Sequence, residues 1–182
     1  LFDLIASTRQ HDEDIEEIKK DLMGKPFQVV AEEHGFSEEL IQQCTDLLRN
    51  LTYKGEIQPS DDYGEIKKIP GERYLVTTGF NDLQWSKINR MGIEGDFEEI
   101  HVVDLDISPR TKKDVFADIL KRKNFAVSVV LVVGDDPDSE IKAAKELGID
   151  TALVDRENQH HSSDCTVKTA NFRDLREWLK SQ

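Results

Sequence analysis

The chain has few cysteines, no long apolar run and a deficit of basic residues. Cys44 and Cys165 are its only cysteines and form no CxxC pattern, which argues against a disulfide framework or a zinc site and fits a reducing cytoplasm. No apolar run approaches the roughly 18 residues that a membrane span needs. The 182 residues carry a net charge of −13, so the protein's field would repel nucleic-acid phosphates and anionic membranes. We therefore expect neither a nucleic-acid partner nor a membrane partner.

The pattern of apolar residues changes near residue 71, which predicts two parts of different character. The helices that we predict in segment 1–70 cover residues 12–23, 27–34 and 38–50, with a short one within 60–69. The elements that we predict after residue 70 alternate as strand 74–77, helix 82–91, strand 99–103, helix 112–123, strand 127–133, helix 138–147, strand 151–154, a last short strand at 165–168 and helix 172–179. Such alternation is typical of a parallel sheet that helices cover on both faces. We therefore predict an α/β, Rossmann-like core at 71–182 and a mainly helical segment at 1–70.

The most informative functional pattern lies in residues 129–155. A β-branched run ends in Gly134, Asp135 and Asp136, and a helix follows with Glu140 in its first turn. Because open α/β folds bind ligands at the carboxyl ends of their strands, these acids are expected in a ligand-binding crevice. Their mutual repulsion calls for a cation, and hard oxygen ligands suit Mg²⁺. The stretch therefore predicts a Mg²⁺ site formed by Asp135, Glu140 and Asp136.

An earlier apolar run, residues 74–76, is followed by Thr77, Thr78 and Gly79. A hydroxyl at the end of a strand, just before a helix, points toward the same crevice. It can donate a hydrogen bond to a phosphoryl oxygen, and the backbone amides at the start of the helix can assist. We therefore predict that these three residues bind phosphate.

In order and spacing, residues 74–155 resemble the haloacid dehalogenase-like (HAD) hydrolases, most of which are Mg²⁺-dependent phosphatases. The resemblance makes Thr77 the hydroxyl of the family's second motif. Asp135 and Glu140 correspond to the acids of its fourth motif, although the family usually has Asp where this chain has Glu140. It also implies that segment 1–70 is a small helical cap, which many members carry, and that the partner is a small phosphorylated substrate.

The third motif of the family is a lysine near the start of the helix that follows the third strand. It neutralises the carboxylates and the phosphate. Lys112 is the first candidate, as a catalytic and phosphate-binding residue, with Lys113 and Arg110 as the others. The usual pattern places the lysine just before a proline, whereas here Pro109 precedes Arg110, so the sequence leaves the choice open.

The first motif, Asp-x-Asp-x-Thr, supplies the nucleophile in this family, and the chain has no good copy of it. Residues 1–7 echo the motif, with Asp3 as a weak candidate for the nucleophile, but Ile5 stands where the second Asp should be. The same residues fit a first cap helix equally well, in which case the motif is expected upstream of Leu1. The run from Asp104 to Asp106 also fits the pattern, but it follows Thr77, so we interpret it as a strand end and a loop.

The resemblance thus implies a Mg²⁺-dependent phosphohydrolase that acts on a small phosphomonoester through an aspartyl-phosphate. The alternative is a catalytically inactive HAD-fold protein with a binding or regulatory role, which the degenerate pair Asp3 and Ile5 would fit. A two-component receiver domain is disfavoured because its acids precede its Thr and Lys in the chain. The sequence identifies neither the substrate nor the oligomeric state.

Overall fold

The computed structural model describes residues 1–11, 14–160 and 164–182. The α-helices in these residues are α1 (Phe2–Ser7), α2 (Ile15–Gly24), α3 (Phe27–Glu33), α4 (Glu38–Arg49), α5 (Asn81–Met91), α6 (Lys112–Lys123), α7 (Lys142–Lys145) and α8 (Phe172–Lys180). The strands are β1 (Tyr74–Thr78), β2 (Glu99–Val103), β3 (Leu131–Gly134), β4 (Asp150–Val154) and β5 (Val167–Thr169). Short 3₁₀ turns cover Tyr63–Lys68, Glu94–Asp96 and Val127–Val129, and a π-helical turn covers Pro137–Ile141. None of the helices in the described ranges is long and apolar enough to cross a membrane.

The strands after residue 130 form one three-stranded sheet in the order β3-β4-β5. Both neighbours run parallel to β4, with Leu131 opposite Asp150 and Ala152 opposite Val167. Because β4 is central, Thr151–Val154 is buried along its length. A strand buried on both faces reads as a continuous apolar run, which is how residues 151–154 appear in the sequence.

The two earlier strands, β1 and β2, pair with each other. Beyond one end of the pair the Glu98 N–H donates to the Arg73 oxygen (2.8 Å), and beyond the other the Gly79 N–H donates to the Val103 oxygen (3.0 Å). Both hydrogen bonds join residues with nearly the same sequence separation, as a parallel pair requires. The predicted α/β class with parallel strands is therefore confirmed.

By its contacts the chain divides into two compact units. Unit 1 comprises residues 1–57, 77–94 and 102–109, and unit 2 comprises residues 58–76, 95–101 and 110–182. This grouping does not follow a single break at residue 70. Phe80, which precedes α5, is buried in the core of the helical segment, and the half-buried Leu83 packs against that core. Apolar contact therefore joins the start of α5 to α1–α4.

The core of unit 1 is made mainly by the amphipathic faces of its helices. Its buried members are Ile5, Ile18, Phe27, Val30, Ala31, Phe36, Leu40, Cys44, Leu48 and Phe80. Burying one such aliphatic side chain stabilises the fold by about 1.5–3 kcal/mol. Ser37 is the N-cap of α4, because its hydroxyl accepts a hydrogen bond from the Leu40 N–H (3.3 Å).

In unit 2 a second buried cluster packs helices α6 and α7 against strands. Phe116, Ala144 and Ile149 are its buried members, and the half-buried Val76 and Val132 pack against them. Since α6 and α7 cover the strand side chains here, the ends of these elements are held in place. The turn between β3 and α7 is thereby positioned at the carboxyl end of β3.

Two predicted elements differ from the structure around that turn. The strand predicted at 127–133 begins only at Leu131, after a 3₁₀ turn in which Val129 is 75% exposed. The helix predicted at 138–147 starts as the π-helical turn Pro137–Ile141 before α7. In that turn the Glu140 side chain bends back toward the end of β3.

Candidate active site

The carboxylate of Glu140 organises the loop that follows β3. Its Oε1 accepts hydrogen bonds from the backbone N–H groups of Asp135 (2.9 Å) and Asp136 (3.0 Å). Its Oε2 accepts a hydrogen bond from Lys112 Nζ (2.7 Å). Hydrogen bonds to an ionised group are among the stronger ones in proteins. The loop is therefore held from within the chain by one acidic side chain.

Burial and charge act in opposite directions on Glu140. Burial is the largest influence on its carboxyl group and disfavours the ionised form, because its side chain is only 10% exposed. The positive charge of Lys112 and the hydrogen bonds to the carboxylate outweigh burial, so the pKa of Glu140 lies below its usual value. Glu140 is therefore ionised at neutral pH and paired with Lys112.

The three candidates for the motif cation form ion pairs with different acids. Lys112 binds Glu140, whereas Lys113 pairs with Glu146 (2.8 Å). Arg110 pairs with Asp118 (3.2 Å). Lys112 thus forms an ion pair with the acid that holds the β3 loop.

The position of Lys112 follows from the local sequence. It is the first residue of α6, and the preceding Thr111 caps the helix. Thr111 Oγ1 accepts the Asp114 N–H, and the Asp114 carboxylate accepts the Thr111 N–H (2.8 Å) in a complete capping box. This arrangement fixes where α6 starts and therefore where Lys112 leaves the helix.

The two aspartates of the loop differ in their contacts. Asp135 is exposed directly after β3. Asp136 is half-buried, and its Oδ1 accepts the Asp138 N–H (2.9 Å), which caps the π-helical turn. Asp135 is therefore the loop acid best placed to bind a ligand from solvent.

The predicted phosphate-binding residues Thr77, Thr78 and Gly79 belong to unit 1. Thr77 and Thr78 are half-buried at the end of β1. Gly79 has a φ of +142°, so the backbone requires glycine, and a Cβ there would also force the Gln84 side-chain amide to move. Its N–H donates to the Val103 oxygen. The Gly79 N–H already has an acceptor, so we expect Gly79 to contribute to phosphate binding through the shape of its backbone.

Asp104 and Asp106 form the turn after β2, as predicted for a strand end and loop. Asp104 Oδ2 accepts the first N–H of α5, from Asn81 (2.8 Å), and Oδ1 accepts the Asp106 N–H (3.0 Å). Asp106 Oδ1 accepts from Arg49 (2.9 Å), the last residue of α4. Sequence reasoning missed this capping role, although an acid after a strand was the available signal.

Residues 2–7 form helix α1 and not the end of a strand, where a first motif is expected. Asp3 lies exposed in the first turn of α1 and does not follow a strand. Ile5 is fully buried in the helical core. The apolar residues of this segment are therefore spaced for a helix, which agrees with the second interpretation of residues 1–7.

A match to a known family covers most of the chain. The family described as haloacid dehalogenase-like hydrolase matches residues 13–154. The chain belongs to the haloacid dehalogenase-like hydrolases. The matched range includes the β3 loop and Lys112.

Two curated proteins are similar to part of this HAD chain, and both are named glyceraldehyde 3-phosphate phosphatase. The one from Methanocaldococcus jannaschii is 30% identical over 90 residues, which cover 50% of this chain and 40% of that protein. The one from Pyrococcus abyssi is 32% identical over 102 residues, which cover 49% of this chain and 43% of that protein. The matched part thus spans less than half the length of either relative.

The fold is similar to that of the magnesium-bound HAD-hydrolase YfnB from Bacillus subtilis. The TM-score is 0.62 at 18% identity, and the alignment covers 97% of this chain and 82% of that one. At this identity the likeness establishes the HAD fold alone. It agrees with the parallel strands and flanking helices described above.

The oxygen donors of the HAD loop have the chemistry that Mg²⁺ prefers. No group of three or more His, Cys, Asp or Glu side chains suited to a metal lies within residues 1–11, 14–160 and 164–182. Mg²⁺ nevertheless keeps several waters and often takes only one or two protein carboxylates together with substrate phosphate. Asp135 and Asp136 meet that smaller requirement.

Sequence reasoning also missed the role of Asp155, which directly follows β4. Its buried carboxylate accepts hydrogen bonds from Lys168 Nζ (2.7 Å) and from the N–H groups of Gln159 and His160 (both 2.9 Å). The hydrogen bond from Lys168 is the main reason why the pKa of Asp155 lies far below its usual value. Asp155 therefore closes the loop after β4, next along the sheet from the HAD loop after β3.

Proposed function

We propose that this HAD protein is a Mg²⁺-dependent phosphohydrolase that acts on a small phosphomonoester through an aspartyl-phosphate. The observation that carries the proposal is the loop after β3, where the exposed Asp135 stands beside the ion pair of the half-buried Lys112 and the buried Glu140. The names of the two curated relatives support a phosphatase. The net charge of −13 does not prevent binding of a small anionic substrate, because such a substrate needs only one or two local cations.

Each proposed site residue has one task. Asp135 holds the ion, with Asp136 as the secondary oxygen donor. Thr77 donates a hydrogen bond to a phosphoryl oxygen, and Lys112 balances the negative charge of the acids and the phosphate. Bound Mg²⁺ would neutralise part of the phosphate charge and so ease the approach of an anionic nucleophile.

We propose no described residue as the nucleophile. Asp3 lies on α1, and the carboxylates of Asp104 and Asp106 are engaged in holding the turn after β2. A nucleophilic carboxylate must instead be accessible to the phosphorus atom. Asp104 and Asp106 do not meet this requirement because their carboxylates are engaged in the turn, and Asp3 is exposed but does not follow a strand.

We also propose that the helical segment 1–70 acts as the cap that selects the substrate. The substrate class is a small phosphomonoester, and glyceraldehyde 3-phosphate is the first compound to test, because the curated relatives are named for it. The cytoplasm is the proposed compartment. The two cysteines, which are not joined in a disulfide, are consistent with it.

The test is phosphate release by the full-length protein from p-nitrophenyl phosphate and from glyceraldehyde 3-phosphate, with Mg²⁺ and then with EDTA. We expect turnover with Mg²⁺ that EDTA abolishes. Asp135→Asn should reduce turnover by at least about 100-fold, since it removes the anionic oxygen that holds the ion.

Asp138→Asn is the matched control, because Asp138 is an exposed acid of the same turn and contacts Asp136 through its backbone N–H, which the substitution leaves in place. It should retain turnover within about twofold, as surface substitutions usually do. Equal loss in both variants would contradict the assignment of Asp135. A folded full-length protein that hydrolyses neither compound would favour the alternative of an inactive HAD-fold binding protein.

A further inference from the structure

Gly134, the last residue of β3, has no room for a side chain. A Cβ at this position would lie 2.0 Å from Glu140 Oε1 and 2.2 Å from Glu140 Cγ. No positive φ accompanies this contact, unlike at Gly79. The need for glycine is therefore steric, and the Glu140 side chain occupies the space in which a Cβ would stand.

The carboxylate that occupies this space has little capacity left for a metal. Oε1 already accepts two backbone hydrogen bonds, from Asp135 and Asp136, which match its two lone pairs. Oε2 faces the ammonium of Lys112 at 2.7 Å. A cation bound to Oε2 would be repelled by this charge at close range.

The identity of residue 140 fits the same arrangement. The family resemblance led us to expect Asp at this position, and this chain has Glu. The extra methylene lets the carboxylate reach back over Gly134 to the amides of the preceding turn.

Resting on the proposed function, we infer that Glu140 is a positioning residue and not a ligand of the ion. Its carboxylate, clamped between Gly134 and Lys112, holds the main chain of Asp135 and Asp136. The Asp135 carboxylate is thereby presented to the ion. This role differs from the sequence-based prediction, in which Glu140 was a ligand of Mg²⁺.

The first measurement is amide hydrogen exchange of Asp135 and Asp136, read by NMR on the ¹⁵N-labelled protein without metal or substrate. Glu140→Gln keeps an acceptor oxygen for both amides but turns a donor nitrogen toward Lys112, so it is combined with Lys112→Met; in this double variant exchange should stay within about threefold of wild type. Glu140→Ala removes the acceptor and should speed exchange of these two amides by at least about fivefold.

Gly134→Ala is a second way to displace the Glu140 carboxylate, and it leaves Glu140 and Lys112 chemically intact. The added methyl group displaces the carboxylate and should also speed exchange of the two amides. Gly64→Ala is the matched control, because a Cβ there would meet nothing within 4 Å. Unchanged exchange in folded Glu140→Ala and in folded Gly134→Ala would overturn the positioning role.

The second measurement is a titration with Mg²⁺ alone, followed through the amide signals of the loop. The double variant Lys112→Met with Glu140→Gln should keep the Mg²⁺ affinity within about threefold, whereas Asp135→Asn should lower it by at least about tenfold. An equal loss in both variants would show that Glu140 is an ion ligand and would overturn the inference. Absence of Mg²⁺ binding in wild type would instead count against the proposed function, while the exchange experiment would still decide the role of Glu140.

Discussion

Replacement of Lys112 by Met should destabilise unit 2, because it leaves the buried carboxylate of Glu140 without its cation. The two side chains are 16% and 10% exposed, and their charged atoms lie 2.7 Å apart. Breaking a fully buried ion pair by removing one partner costs about 3–5 kcal/mol. The pair is not fully buried, and Glu140 keeps two backbone donors, so we expect a loss of about 2–3 kcal/mol.

The assay is urea unfolding at pH 7, followed by circular dichroism, with the m value checked for change. With an m value of about 2–3 kcal/mol/M, the midpoint should fall by about 1 M. Lys113→Met is the matched control, because its partner Glu146 is 46% exposed and the pair is worth at most about 1 kcal/mol. Equal shifts in Lys112→Met and Lys113→Met would refute the reasoning.

The pH dependence of this difference follows from the lowered pKa of Glu140. A carboxyl group whose pKa is lower in the folded state stabilises the fold above its unfolded pKa, about 4.3. That stability is lost as the pH falls through the folded pKa. The gap between wild type and Lys112→Met should therefore narrow below about pH 4.5. The double variant Lys112→Met with Glu140→Gln should recover at least half of the loss, since no buried charge remains unpaired.

Two further outcomes test other parts of the fold. The pKa of His34 is raised chiefly by its hydrogen bond to Asp21 (3.0 Å), so its stabilisation is present below the unfolded value of about 6.5 and is lost as the pH rises through the folded pKa. The melting temperature of wild type should thus exceed that of His34→Gln more at pH 6 than at pH 9, and a constant difference would contradict this. Gly79→Ala should cost at least about 1 kcal/mol by urea unfolding, because of its positive φ. Adding Gln84→Ala should remove only the part of this loss that comes from the contact with Gln84. Full recovery of the unfolding free energy would contradict a cost that comes from the positive φ.

Much of the fold follows from the sequence, because strand and helix periodicity are local properties of the chain. The predicted helix at 112–123 coincides with α6, and the apolar run at 151–154 lies within β4. The acids after β3 were predicted to end a strand because Gly134 and Asp135 directly follow a β-branched run. Local pattern thus determined which side chains reach the carboxyl edge of the sheet.

Contacts between distant residues were decided only by the tertiary structure. The sequence put Lys112 first but left Lys113 and Arg110 open, and the packing of α6 beside the β3 loop pairs Lys112 with Glu140, 28 residues further on. Asp104 and Asp106 match a catalytic motif in sequence, yet their carboxylates hold a turn.

Glu140 shows most clearly which properties follow from the sequence and which depend on the tertiary structure. Its spacing from Asp135 predicts an acid near the ion, and this much is a property of the sequence. That its carboxylate turns inward depends on the space at Gly134 and on the two amides and one ammonium that converge there. Hydrogen bonding and steric exclusion act over a few ångströms in space, so their outcome is set once the fold has brought these groups together.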